Sequence, residues 1–218
     1  MTEFAVIFDM DGVLVDSNKY ILFSFNQILN RYGIHIADDE LKDYLGLSII
    51  DIVKIWKEKH GVDFDAHKFV TEANNVQLEL MKETLKVNNN LLNFLIELSK
   101  NSVPMGVGTS SYTDRTNKIL DLLEIKKYFS AISTAEEIHE HKPNPHIFLS
   151  VAKKLKIDPK KCVVIEDASA GIEAAKRGNM KVIGYRHEYT TNDKLNGANL
   201  IIENFSELSY EKIKELFE

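Results

Sequence analysis

Apolar and polar positions follow two rhythms along the chain. Between Asp16 and about Lys86 the apolar residues recur every three or four positions: Phe25, Ile28, Leu29 and Tyr32, then Ile52, Ile55 and Trp56, then Phe69, Ala73, Val76 and Leu80. That spacing predicts helices buried along one face, and polar or glycine breaks delimit them. Asp16 or Ser17 is placed to cap the first helix, with Gly33 as its stop. Asp38 or Asp39 starts a short second one. Ser48 with Asp51 resembles a capping box for a third that Gly61 ends, and Asp65 opens a fourth. No strand is expected in this stretch.

After the polar break Val87-Asn-Asn-Asn90 the rhythm changes, and short apolar runs alternate with helical patterns. Strands are expected at 103–108, around 130–133, and at 162–165, 181–184 and 200–202. Helices are expected at 91–100, at 112–123, after Pro145 with the stripe Phe148, Val151, Ala152 and Leu155, at 169–177 closed by Gly178, and from about Leu208. One further apolar run, residues 4–8, precedes the helical stretch. Strands alternating with helices imply right-handed crossovers and an α/β fold, a doubly wound, mostly parallel sheet covered on both faces. The expected organisation is a core of residues 1–15 and 87–218 interrupted by a helical cap, residues 16–86. Leaving directly after an acidic turn, the insert should lie over the carboxyl edge of the sheet as a lid.

Composition narrows the class. The chain has 218 residues, 44% hydrophobic and 28% charged, enough to bury a substantial core. A formal net charge of -6 without a basic run argues against nucleic acid as a partner. The single cysteine, Cys162, sits in an apolar run and reads as a small buried residue, so no disulfide framework exists. No basic segment leads into a long apolar one, and no stretch approaches the length of a membrane span; a cytoplasmic protein without a membrane partner is expected. Oligomeric state leaves no mark on the sequence.

The chemistry gathers at strand ends. Strand 4–8 stops at Asp9 and Asp11, followed by Gly12. A buried parallel strand offers ligand-facing residues at its carboxyl end, and two carboxylates so close call for a shared cation or a proton. The run Met105-Gly-Val-Gly-Thr109-Ser110-Ser111 delivers hydroxyls and then exposed amides at a helix start, a cradle for phosphate oxygens. In His141-Lys142-Pro143-Asn144-Pro145 the prolines keep a lysine extended ahead of a helix. Val163-Val-Ile-Glu166-Asp167 is a second strand ending in paired acids, suggestive of shared Mg²⁺ coordination. Singly, each has a simpler reading: an Asp-Gly turn, capping by Ser111 with Asp114, a solvated lysine, an N-cap at Asp167.

Jointly, acid pair, hydroxyl, lysine and acid pair in that order resemble the haloacid dehalogenase-like (HAD) superfamily over essentially the whole chain. Asp-Gly-Val-Leu-Val-Asp-Ser, Lys-Pro-x-Pro and Val-Ile-Glu-Asp-x-x-x-Gly-Ile-Glu-Ala-Ala are most similar to the branch with a small helical cap, which includes β-phosphoglucomutase and many sugar-phosphate phosphatases. The resemblance implies that Asp9 is a nucleophile forming an aspartyl-phosphate, and that Asp11 is the acid for the leaving alcohol and then the base for water. Thr109 and the Ser110 amide would hold phosphate oxygens, and Lys142 would offset their charge. Mg²⁺ would be held by Asp9, the Asp11 backbone carbonyl and Asp167, with Glu166 as ligand or supporting partner. An acid at position 11 disfavours dehalogenation, since halide leaves unprotonated.

The chain departs from the pattern at His141, where relatives have Gly, and at His146, where they have Asp. These two and His139 are expected to be incidental surface histidines rather than a metal cluster. Ile21 and Ile49 stand where the mutase has a histidine and an arginine for a second phosphate. Hydrolysis of a small phosphorylated metabolite, a sugar or polyol phosphate, is therefore the expected activity. A phosphomutase and a non-catalytic metabolite-binding protein are the alternatives. Tyr20, Tyr44 and Trp56 are the cap aromatics considered for substrate contact.

Overall fold

The apolar run at the start of the chain becomes β1 (Ala5–Phe8), and every later strand aligns parallel to it: β2 (Met105–Gly108), β3 (Ala131–Ser133), β4 (Cys162–Glu166), β5 (Lys181–Tyr185) and β6 (Leu200–Ile202). The computed structural model describes residues 4–61, 65–82, 84–88, 90–190 and 192–218, leaving aside the side chains of 38 and 192; Asn89 of the polar break lies outside them. The strand order is β3-β2-β1-β4-β5-β6, a doubly wound α/β sheet. The chain moves outward from β1 on one side and returns beyond it on the other, so the crevice between β1, β2 and β4 is the topological switch point. Phe8 pairs with Val107 and with Ile165, which brings Asp9, Thr109, Glu166 and Asp167 out at one edge.

Alternation along β1 feeds two cores. Val6 and Phe8 pack with Leu91, Phe94 and Leu98 of α5 (Leu91–Lys100) and with Ile119 and Leu120 of α6 (Thr113–Leu122). Ala5 and Ile7 face α7 (His146–Leu155) and α8 (Ser169–Arg177), whose inward residues include Phe148, Val151, Ile172 and Ala175. A last helix, α9 (Tyr210–Lys214), begins after Leu208, which is itself core; Ser209 caps it. No helix of the described residues is long and apolar enough to cross a membrane.

The insert contains α1 (Asn18–Arg31), α2 (Asp38–Lys42), α3 (Ile49–His60) and α4 (Ala66–Met81). Among the described residues no strand lies between 16 and 86. The four helices enclose a cluster of their own, centred on fully buried Trp56, whose ring meets Phe25 and Phe69 edge-on at 5.5 and 5.6 Å. Two crossing segments form its neck: Val15 bridges Val87, and Asn88 Nδ2 donates to the carbonyls of Gly12 (2.9 Å) and Val13 (2.6 Å).

Several boundaries differ from expectation for local reasons. Strand β2 starts at Met105, not 103, because Pro104 has no N–H and the Val103 amide turns back to Leu98. Ser17 takes the N-cap position of α1 but without a side-chain cap bond, because its hydroxyl is used elsewhere, and Asp16 pairs with Lys19. Helix α2 starts at Asp38 as expected, with Ala37 at its cap position. Pro145 sits at the N-cap of α7 rather than within its first turn. Ser48 and Asp65 accept from amides of α3 and α4, and Gly61 ends α3 with φ 66°, all as the residue types dictate.

Candidate active site

One residue past β1, the Asp9 amide still donates to Ile165 O of β4, so its carboxylate leaves the sheet beside that strand's acidic end. Lys142 Nζ, 1% exposed, donates to Asp9 Oδ1 at 2.5 Å and to Glu166 Oε1 at 2.7 Å. Glu166 Oε2 accepts from the Ala168 amide, which removes the Asp167 N-cap expected for α8; Ala168 is the cap residue. Asp167 Oδ2 lies 2.8 Å from His187 Nε2, whereas Asp167 Oδ1 is buried with no partner among the described residues. Oxygens of Asp9, Glu166 and Asp167 all fall within 4.8 Å of one another.

Two of these three buried carboxylates, Asp9 and Glu166, thus share one ammonium. Burial pushes Asp9 well above the usual carboxylate range, with Lys142 opposing and the charges of Glu166 and Asp167 adding to it. Burial likewise raises Glu166, against Lys142. Lys142 is desolvated too, yet Asp9 and Glu166 outweigh that and raise its pKa. The excess negative charge, the orphaned Asp167 oxygen and an all-oxygen donor set fit a hard divalent cation such as Mg²⁺. Among the described residues no histidine joins this or another such group; His146 instead lies 3.3 Å from Glu140 at the surface. Cys162 is buried in β4 with its thiol pushed up to about 12, chiefly by burial, and is no nucleophile.

Two glycines make room for the acids. Gly12 has φ 88°, and a Cβ there would lie 2.1 Å from Asp167 Oδ2. A Cβ on Gly171, in α8, would lie 1.7 Å from Glu166 Oε1, the oxygen held by Lys142. Glu166 is fully buried and cannot swing aside, so Gly171→Ala must displace the carboxylate. Mg²⁺ affinity, read by titration calorimetry, is expected to fall by about 10-fold or more, as for loss of a supporting contact; unchanged affinity would exclude Glu166 from the cation site.

The Asp11 carboxylate has a set of partners separate from that of Asp9. The chain leaves the strand path after Phe8, and Asp11 meets a cation of its own. Arg115 Nη1 and Nη2 each donate to one Asp11 oxygen at 2.7 Å, while Ser17 Oγ (2.5 Å) and Ser111 Oγ (2.7 Å) complete four donated bonds. Burial would raise the Asp11 carboxyl, but the Arg115 guanidinium and these hydroxyls outweigh it and hold the group below its usual range. Ser111 is therefore no helix cap. Tyr112 takes that position, the Thr113 amide is satisfied by Glu136 at 2.6 Å, and Asp114 pairs with Lys118.

Thr109 is buried, and its Oγ1 accepts from the Ser111 amide at 3.1 Å. Ser110 Oγ donates to Gly46 O of the insert at 3.2 Å, fastening the insert over the sheet edge. Asp9, Asp11, Thr109 and Ser110 line one crevice whose opposite wall is formed by Ile21, Tyr44, Leu47 and Ile49. Of the three aromatics considered for substrate contact Tyr44 reaches it, joined by Phe25; Trp56 lies in the insert's core, and the Tyr20 hydroxyl bonds Thr84 Oγ1 at 2.7 Å. Lys142, Glu166 and Asp167 gather behind Asp9.

Sequence reasoning missed Arg115, Gln77 and His187. A signal for Arg115 existed: it shares the buried face of α6 with Thr116, Ile119 and Leu120, and an arginine on an apolar stripe calls for a partner. His187, two residues past β5, carries no such mark.

Comparison with known proteins identifies the family. The chain is 28% identical over 189 residues to a phosphorylated carbohydrates phosphatase of Thermotoga maritima, spanning 87% of each chain. It is 29% identical over 224 residues to a β-phosphoglucomutase of Bacillus subtilis, covering 98% of this chain and 95% of that one. A crystal structure of β-phosphoglucomutase from Clostridium difficile superposes with a TM-score of 0.87 at 28% identity, over 100% of this chain and 97% of the other. The family model for haloacid dehalogenase-like hydrolases matches residues 6–185, and the chain belongs to that family.

Proposed function

We propose that the protein is a Mg²⁺-dependent phosphatase that releases phosphate from a small phosphomonoester, a sugar, polyol or similar metabolite phosphate, with residues 16–86 acting as the cap over the site. The observation that carries this reading is the buried acid cluster of Asp9, Glu166 and Asp167, with Lys142 paired to the first two, opening into a crevice shared with Asp11 and Thr109.

In the proposed reaction Asp9 attacks phosphorus, the bond to the leaving oxygen breaks, and the alcohol departs with a proton from Asp11. The aspartyl-phosphate is then hydrolysed by water, whose proton returns to Asp11. Thr109 and the Ser110 amide hold phosphoryl oxygens, and Lys142 offsets the repulsion between the Asp9 carboxylate and its anionic target. Asp9, Asp167, the Asp11 carbonyl and Glu166, directly or as support, would hold Mg²⁺, which supplies charge neutralisation for phosphoryl transfer.

Hydrolysis is favoured over a mutase because Ile21 and Ile49 line the crevice where a second phosphate would need cationic or polar anchors. Curated relatives named as hexitol and fructose-1-phosphate phosphatases, 29% and 28% identical, support a sugar or polyol ester. The test is phosphate release from a panel of sugar, polyol and short-chain acid phosphates, with Mg²⁺ and with EDTA. β-Glucose 1-phosphate plus a bisphosphate primer is assayed alongside for isomerisation. Metal-dependent release from one or a few esters is expected. Isomerisation without release would make the protein a mutase, and failure to act on any ester would leave it a binding protein.

A further inference from the structure

Arg115 is 3% exposed and lines the crevice from α6, on the core side. Four of its five N–H groups are engaged: two on the oxygens of Asp11, a second from Nη1 on Ser111 Oγ at 2.6 Å, and Nε on Gln77 Oε1 at 2.9 Å. Gln77 belongs to α4 of the insert and passes the chain on, donating from Nε2 to Ser24 Oγ of α1 at 2.8 Å. One guanidinium therefore joins the acid loop, the sheet-side helix and the insert.

With four donors on its two oxygens, Asp11 is at rest in this arrangement. It carries no proton to give, and no lone pair is left open toward the crevice. To act on a substrate it must give up bonds to Arg115. A buried guanidinium stripped of its carboxylate is costly unless another anion replaces it. Gln77 and Ser111 are neutral, and among the described residues no acid other than Asp11 bonds Arg115. The anion that enters this crevice is the one attached to the substrate, and its tetrahedral oxygens suit a guanidinium fork as well as a carboxylate does.

We propose that Arg115 is a phosphoryl-binding residue that Asp11 occupies in the ligand-free protein, so that the incoming phosphoryl group and Asp11 compete for one guanidinium. The proposal rests on the phosphatase reading. Binding then does two things at once: it anchors the phosphoryl oxygens and it frees Asp11 for proton transfer. Gln77 keeps the fork aimed at the crevice while the insert is seated.

The test is a double-mutant cycle on binding of inorganic phosphate in the presence of Mg²⁺, measured by titration calorimetry. Arg115→Met is expected to weaken phosphate on the order of 10- to 100-fold, the loss of charged hydrogen bonds, and Arg115→Lys to weaken it less. Asp11→Asn removes the internal competitor and is expected to tighten phosphate by about 10-fold in the wild-type background but by less than about threefold beside Arg115→Met, because coupled residues are non-additive. The double variant carries neither buried charge; should Arg115→Met alone unfold, the comparison is between the double variant and Asp11→Asn, and equal phosphate affinity in those two would overturn the proposal. Equal tightening in both backgrounds, or wild-type affinity in Arg115→Met, would overturn the proposal and make Arg115 a structural partner. If the wild-type protein neither binds phosphate nor releases it from any ester, the phosphatase reading fails and this inference with it; if it releases phosphate but the cycle shows no coupling, only the inference fails.

Discussion

Replacing Asp9 with asparagine is expected to stop phosphate release, by about 10⁴-fold or more, as for loss of a covalent nucleophile, and to raise rather than lower the melting temperature of the metal-free protein. The second half follows from the charge balance. Asp9 and Glu166 hold their protons to higher pH in the fold than in the unfolded chain. The folded state therefore binds more protons than the unfolded one, and stability declines as pH rises from about 4, the unfolded carboxyl value, through the raised folded values. Asparagine removes one member of the crowd while keeping an oxygen for Lys142. In EDTA the gain should be near zero at pH 4 and reach roughly 2–6 °C at pH 8, each kcal/mol being about 2–4 °C in a chain this size. Calorimetric melts at the two pH values decide it. A lower melting temperature at pH 8 would mean that the Asp9–Lys142 pair stabilises the fold on balance, and full turnover would remove Asp9 from the mechanism.

Lys142→Met should have the opposite effect on stability. Its ammonium is the one cation hydrogen-bonded to Asp9 and Glu166 among the described residues, and breaking a buried pair from one side costs about 3–5 kcal/mol. That corresponds to a fall of roughly 6–20 °C in EDTA. Millimolar Mg²⁺ should restore part of the loss, because a cation among the same carboxylates replaces the missing charge, while phosphate release stays low. Melts with and without Mg²⁺ test this; a variant as stable as the parent in EDTA would show that the acids are neutral in the metal-free fold.

The elements were legible where periodicity is backed by punctuation. Helices α5 and α8 and strand β6 fall within their expected bounds because apolar stripes or runs end at clear polar or glycine breaks. Strand ends were less legible, since Pro104 acts through a missing donor and Glu166 continues β4 as a buried acid, which hydrophobic pattern discounts. The four acids could be singled out because they stand at strand ends, and Lys142 because it falls between them in an order that chemistry explains. Their division into a cluster behind Asp9 and a separate Asp11–Arg115 pair could not. It depends on where the backbone turns after Phe8 and on a helix that the sequence places more than 100 residues away. Ser17 and Ser111 were misread for a related reason: a hydroxyl near a helix start has two possible uses, and only tertiary contacts decide between them.

The neck of the insert has a mechanical consequence. Asn88 grips the carbonyls of Gly12 and Val13, and Ser17 grips Asp11, so the fulcrum for any swing of the helical lobe is built into the loop that carries Asp9 and Asp11. The lobe and these acids are geared together. Exchanging the lobe for a foreign one would preserve the reactive loop only if the graft retained residues 12–17 and Asn88, which makes those few positions the coupling through which a new specificity module would have to be attached.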